Sequence, residues 1–312
     1  MRKIMFLLVA LAVGAAGNAM AQVDTHNPTT ARDFYERGLN REKAKQFKAA
    51  IEDYTKAADL EPGFFDAHFT LSSLYAELKD YRAAIDALAK SLEARPVDYS
   101  ALFNSGLYHE YLRDYDKAIA LYTQASDEDA DFSHYGGSTD EARAHAYHYR
   151  GRVFQWHKHD NAKAIDDFTA ALRLDPKIEM VRYRRARAYH DLKEYAKANA
   201  DFAAARELDP DYPNLLNAWA WQLATCPESK FRDDQLALQL AKKTQDLETL
   251  AAAYAETGAF DDAVTSQKLA IEQLDRRPVP SDDKAKDRAN QQRTQMDKRL
   301  AAYQARRPYR DE

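Results

Sequence analysis

FKAAIEDYTKAADLEPGFFDAHFTLSSLYAELKDYRAAIDALAKSLEARP, residues 47–96, decides the fold. Within it Ala50 and Ala84, Tyr54 and Leu88, and Pro62 and Pro96 each stand 34 residues apart. Both halves are alanine-rich runs closed by a proline, which lacks the N–H and the room to continue a helix. Followed outward, the prolines fall at 62, 96, 176 and 210, with steps of 34, 80 and 34. The long step is two periods plus an insertion of 12. A fixed period near 34 predicts an all-α solenoid of antiparallel helix hairpins.

The periodicity extends to individual side chains. The first unit places Phe34, Gly38, Ala50, Tyr54, Ala57 and Pro62 at positions 4, 8, 20, 24, 27 and 32. The second gives Leu71, Ser72, Tyr75, Ala84, Leu88 and Pro96, and the third Leu102, Gly106, Ala118, Tyr122 and Ala125. The fourth gives Tyr147, Gly151, Phe154, Ala164, Phe168, Ala171 and Pro176; the fifth Ala186, Tyr189, Ala198, Phe202, Ala205 and Pro210. Small residues at 8, 20 and 27 let two antiparallel helices approach, and aromatics at 11 and 24 fill the space between adjacent hairpins. These positions resemble the tetratricopeptide repeat, which implies a right-handed superhelical array binding its ligand along the concave face.

Two further units are degenerate. Leu216, Trp219, Ala220 and Leu223 open a sixth, broken at Ala224-Thr225-Cys226-Pro227; Leu250, Ala251, Tyr254, Gly258, Phe260, Ala263 and Ala270 form a seventh. The string from Asn217 through Pro227 to Ala252–Glu256 and Phe260–Val264 is similar to the end of many bacterial tetratricopeptide proteins, with a shorter connector between Ala241 and Leu250. Ser281–Ala305, with Ala285, Ala289, Met296, Leu300 and Tyr303 on one stripe, reads as a capping helix. The expected organisation is therefore a leader 1–21, a linker 22–30, repeats one to three over 31–126, and an acidic insertion 127–143. Repeats four and five follow over 144–212, the degenerate pair over 213–277, and the cap and tail over 278–312.

Arg2 and Lys3, the apolar run Ile4–Val13 and Ala19-Met20-Ala21 have the layout of a secretory signal peptide cleaved after Ala21. The apolar stretch reaches only 14 residues even if extended to Gly17, against roughly 20 for a membrane span. No stable membrane anchor is expected, and the address is the periplasm or the exterior. Net charge is −5, or −7 without Arg2 and Lys3, which argues against general nucleic-acid binding. The one cysteine, Cys226, cannot form an internal disulfide and reads as a small core residue.

No phosphate loop, nucleophile elbow or metal-protease motif occurs, so the reading is not an enzyme, with no cofactor. Groove positions 2, 5, 9, 12 and 13 of the family put Phe103 and Tyr111 of repeat three, His145, His148, Arg152 and Trp156 of repeat four, and Tyr183, Arg187 and His190 of repeat five on the concave face, with Arg184 adjacent. That is a basic, aromatic trough suited to a protein or extended peptide carrying carboxylates: arginine offers bidentate bonds, and Trp and Tyr broad apolar contact. The competing reading pairs these arginines with acidic neighbours. Glycan stacking, or a metal held by His145, His148 and His190, is the alternative use of the same groove. The acidic insertion reads either as part of the binding face or as a solvated linker.

Overall fold

The computed structural model describes residues 28–178, 180–278 and 282–311; the leader 1–21 lies outside them. The described residues contain fifteen α-helices, one π-helical turn, one 3₁₀ turn and an isolated β-bridge. They divide into two compact units between residues 178 and 179.

The first unit holds four hairpins: α1 (Ala31–Lys43) with α2 (Phe47–Leu60), α3 (Phe65–Glu77) with α4 (Tyr81–Ala94), α5 (Tyr99–Tyr111) with α6 (Tyr115–Ala125), and α7 (Thr139–Val153) with α8 (Asn161–Leu174). The second holds α9 (Val181–Asp191) with α10 (Tyr195–Leu208), α11 (Pro213–Thr225) with α12 (Asp234–Thr244), α13 (Leu247–Glu256) with α14 (Phe260–Asp275), and α15 (Asp283–Gln304) against α14. Each of the four ruler prolines lies two residues beyond a helix end, after Leu60, Ala94, Leu174 and Leu208. Carboxylate and hydroxyl side chains start many helices by accepting the orphan N–H groups of the first turn, as Asp80, Asp98, Asp160, Asp233 and Asp246 do.

Inside a hairpin, position 8 faces position 24. A Cβ on Gly38, Gly106 or Gly151 would fall 2.5, 2.8 and 2.8 Å from the rings of Tyr54, Tyr122 and Phe168. The position-24 aromatics therefore seat on the glycine of their own hairpin, and the glycines are required for that approach. Ala50, Ala84, Ala118, Ala164 and Ala198 are all fully buried where the two helices cross. A second device recurs at positions 7 and 23. Arg37 pairs with Asp53, Arg150 with Asp167 and Arg185 with Asp201, each through two guanidinium nitrogens at 2.6–2.9 Å. The three aspartates are almost wholly buried. Repeats two and three carry Leu71 with Ala87 and Ser105 with Leu121 at those positions instead.

The turns within hairpins share one geometry. Lys45, Lys79, Arg113 and Lys193 adopt left-handed backbone at φ 58–65°. The next residue's N–H then reaches five residues back, as from Asp80 to Tyr75 and from Asp114 to His109. Repeat four departs from this. Its last first-helix turn is π-helical over Phe154–Lys158, and Asp160 N–H reaches six residues back to the Phe154 carbonyl at 3.0 Å. One additional residue has been accommodated in the helix.

One expected boundary shifts. α7 begins at Thr139, inside the expected insertion 127–143, because Ser138 Oγ accepts the Glu141 N–H and Asp140 and Glu141 fill the positive first turn. The remaining insertion is not a solvated linker. Tyr99 N–H donates to Asp131 and Asp131 N–H to Val97, at 2.9 and 2.7 Å; Ala130 is buried, and Tyr135 is buried against Tyr99 at the start of α5. In α15 the expected stripe narrows to Met296 and Tyr303, the two members that are buried.

Candidate peptide-binding faces

In the first unit the candidate residues lie on α5, α7 and the π-helical turn. Glu110 is the hub: its Oε2 accepts from Arg152 at 2.7 Å and from the Tyr122 hydroxyl at 3.2 Å. The Arg152 guanidinium also lies 4.3 Å above the Tyr149 ring. Phe103 packs edge-on against Tyr149 and tilts against Tyr122, so only part of it faces outward. Arg152 is thus a paired, largely buried cation, and its charge is spent inside the protein. The pairing reading holds for it, and the trough is less basic than the sequence suggests. Arg150 and Arg185 are consumed in the same way by Asp167 and Asp201.

His145 and His148 are half-buried. His145 meets Tyr135 edge-on, and burial pushes its imidazole below the usual histidine range. His148 lies between Tyr149 and Phe168. Both are packing residues as much as surface ones. Tyr111 and Trp156, at position 13 of consecutive repeats, are the outward-facing members, 42% and 43% exposed. Tyr81 stacks on Tyr111 at 4.7 Å and fixes its ring. His157 is exposed, yet its ring lies flat on Tyr115 with centroids 4.0 Å apart, and its Nε2 is 4.0 Å from Glu110 Oε1. The π-helical turn places it there. The signal for it was present: Gly151 to Ala164 is 13 residues where the other four repeats show 12.

In the second unit Tyr183 and Arg184 are both 7% exposed, which removes them from the ligand-facing set. Tyr183 is edge-on to Tyr212 and tilted on Phe202 within the core, because α9 turns positions 5 and 6 inward. Arg187 is exposed on α9. His190 is held by Gln222, whose Oε1 lies 3.0 Å from Nδ1, and its Nε2 approaches Asp311 at 3.8 Å.

Of the expected histidine metal set, His190 has its Nδ1 taken by Gln222. Among the described residues the cation-capable grouping is Asp98, Asp131 and His134, with ligand atoms within 4.8 Å of one another. Arg95 brings its guanidinium 3.0 Å from His134 Nδ1, supplying positive charge there already. Asp98 Oδ1 meanwhile caps α5, and the group serves to pin the insertion. Cys226 is fully buried, as expected, and burial pushes its thiol up. No helix among the described residues is long and apolar enough to cross a membrane.

Stacked helix hairpins and the glycine–aromatic seats within them define a helical-repeat protein, with aromatic side chains left exposed at the ends of first helices. Tetratricopeptide-repeat models match residues 41–104, 99–132 and 155–213. This is a tetratricopeptide-repeat protein. Among solved structures, the chain is similar to the C-terminal part of a TPR repeat-containing protein from Cytophaga hutchinsonii, at 20% identity and TM-score 0.54, over 87% of this chain and 98% of that one. PilF of Pseudomonas aeruginosa gives 20% identity and TM-score 0.51 over 78% and 97%. YrrB, described as a TPR protein with an unusual peptide-binding site, gives 18% and 0.50 over 60% and 91%. These likenesses concern the fold. No curated protein matches the chain in sequence.

Proposed function

We propose that this chain is a non-catalytic scaffold of the bacterial cell envelope that binds a protein or an extended peptide on the faces of its first helices. One observation carries the reading. Tyr111 and Trp156 occupy the same repeat position in consecutive hairpins and leave over two-fifths of their surface exposed, while the charges around them are internally matched. Large aromatic surfaces beside a satisfied polar network are what partner contacts use, since they supply area at low cost in side-chain entropy. The arrangement supports no chemistry: no nucleophile–base pair stands among these residues. Export to the periplasm is part of the proposal and rests on the leader-like segment 1–21.

The test is site-specific photocrosslinking in living cells. A photoreactive residue at Trp156 or Tyr111 should trap a discrete partner, whereas one at the exposed Lys56 of α2 should not. Tyr111→Ala with Trp156→Ala should remove a partner trapped from Phe69 without changing helicity. Equal trapping from Lys56, or trapping indifferent to the double substitution, defeats the assignment.

A further inference from the structure

After α15 the chain reverses at Arg306, whose backbone is left-handed at φ 54°, and its next residues run back over α11 and α13. Each of three successive residues meets its own receiving group. The Tyr309 ring approaches Trp221 at 6.2 Å, and the Arg299 guanidinium covers both rings, at 5.1 and 4.6 Å. Arg310 donates to the Ala224 carbonyl at 3.2 Å and pairs with the largely buried Glu256 at 2.7 Å. Asp311 donates its backbone N–H to the Thr225 carbonyl at 3.0 Å. Its Oδ2 accepts from the Trp221 indole N–H at 2.8 Å and lies 3.8 Å from His190 Nε2. His190 and that indole hold the Asp311 carboxyl below the usual carboxylate range.

Four of the receiving residues, two of them through backbone carbonyls, occupy the family's groove positions. Trp221, Ala224 and Thr225 stand at positions 9, 12 and 13 of the hairpin that begins at Pro213, and His190 stands at position 12 of the hairpin before it. Bonds to main-chain carbonyls together with separate recognition of consecutive side chains is how a groove reads an extended peptide. We infer that Tyr309-Arg310-Asp311 is a built-in ligand lying in a peptide site of the second unit, and that the site takes partner peptides of the same order: aromatic, basic, acidic. The segment competes with such a partner and keeps the site closed until it is displaced. This deepens the proposed peptide-binding role and rests on it, but it concerns a face separate from Tyr111 and Trp156.

The alternative is that the segment only caps α11, whose last carbonyls would otherwise lack donors. Fluorescence anisotropy separates the two, using a labelled peptide Arg-Arg-Pro-Tyr-Arg-Asp, the sequence of 306–311, and the full chain. Against the full-length variant Tyr309→Ala with Asp311→Ala the peptide should bind at least about tenfold tighter than against the unaltered chain, because a site occupied nine-tenths of the time loses that factor. Adding Trp221→Phe, which removes only the indole N–H and its ring, should abolish the gain. Equal binding to the two chains, or binding to neither, overturns the inference. A measurement without variants checks the same point: excess free peptide should speed amide hydrogen exchange at Asp311 in the unaltered chain, and unchanged exchange counts against it. A partner crosslinked at Trp156 while the peptide fails here would leave the scaffold role standing and remove only the built-in ligand.

Discussion

Replacing Arg150 by leucine tests what the recurring arginine–aspartate pair does. The pair joins α7 to α8 through two bonds of 2.9 and 2.6 Å, with only 17% of the arginine and 7% of the aspartate side chain exposed. Arg150→Leu leaves the Asp167 carboxylate buried without its cation, a change that costs about 3–5 kcal/mol. Asp167→Ala alone should cost less, since the freed guanidinium keeps its bond to Thr123 and can reach water. The double change Arg150→Leu with Asp167→Ala installs the pair that α3 and α4 already carry, Leu71 and Ala87. It should fall within about 1 kcal/mol of the unaltered protein, because apolar replacement of a buried ion pair is often neutral. The coupling energy between the sites should therefore be at least about 2 kcal/mol. Hydrogen exchange of α7 and α8 amides under rising urea reads it locally, without assuming that the two units unfold together. Burial already raises the Asp167 carboxyl above the ordinary range despite Arg150. In Arg150→Leu it rises further, so the folded form binds a proton more readily than the unfolded one. The deficit is then largest at neutral pH and shrinks as pH falls toward the unfolded aspartate value of about 3.9. Additive single and double losses, or a deficit independent of pH, would refute the pairing account.

Three further outcomes follow from packing. Gly151→Ala should destabilise by about 1–3 kcal/mol despite alanine's better helix propensity, because its Cβ would meet Phe168 at 2.8 Å and Asp167 Cβ at 3.0 Å. Gly63→Ala meets nothing within 4 Å and should be neutral or slightly stabilising in the same urea titration. Cys226 should resist a thiol reagent at neutral pH in the native protein and react at once in denaturant, since it is fully buried with its thiol pushed up; rapid native labelling would contradict its placement.

The hairpins were legible because their information is local and repeated: glycine at 8, alanine at 20, an aromatic at 24 and a proline after the second helix recur at one spacing. The candidate faces were legible only in part. Position numbers located Tyr111, Trp156 and Arg187 on the outside, yet Tyr183 and Arg184 sit at neighbouring positions and are buried, because the path of α9 against its own hairpin decides which side turns inward. Whether an arginine is available depends on a partner at a distance the sequence does not mark. Arg152 meets Glu110 from 42 residues away, and nothing local distinguishes it from Arg187. The docking of Asp311 on Trp221 spans 90 residues and carries no periodic signal at all.

The π-helical turn also bears on how such arrays diversify. A single added codon in repeat four has been absorbed within one helical turn, and α8 still closes on α7 through the same glycine–aromatic seat and arginine–aspartate pair as repeat one. The scaffold thus tolerates a frame-preserving insertion at this point while the side chains around it, Trp156 and His157 among them, are re-aimed. For a repeat lineage this is an inexpensive route to novelty: one hairpin can acquire a distinct surface without its neighbours having to change in step.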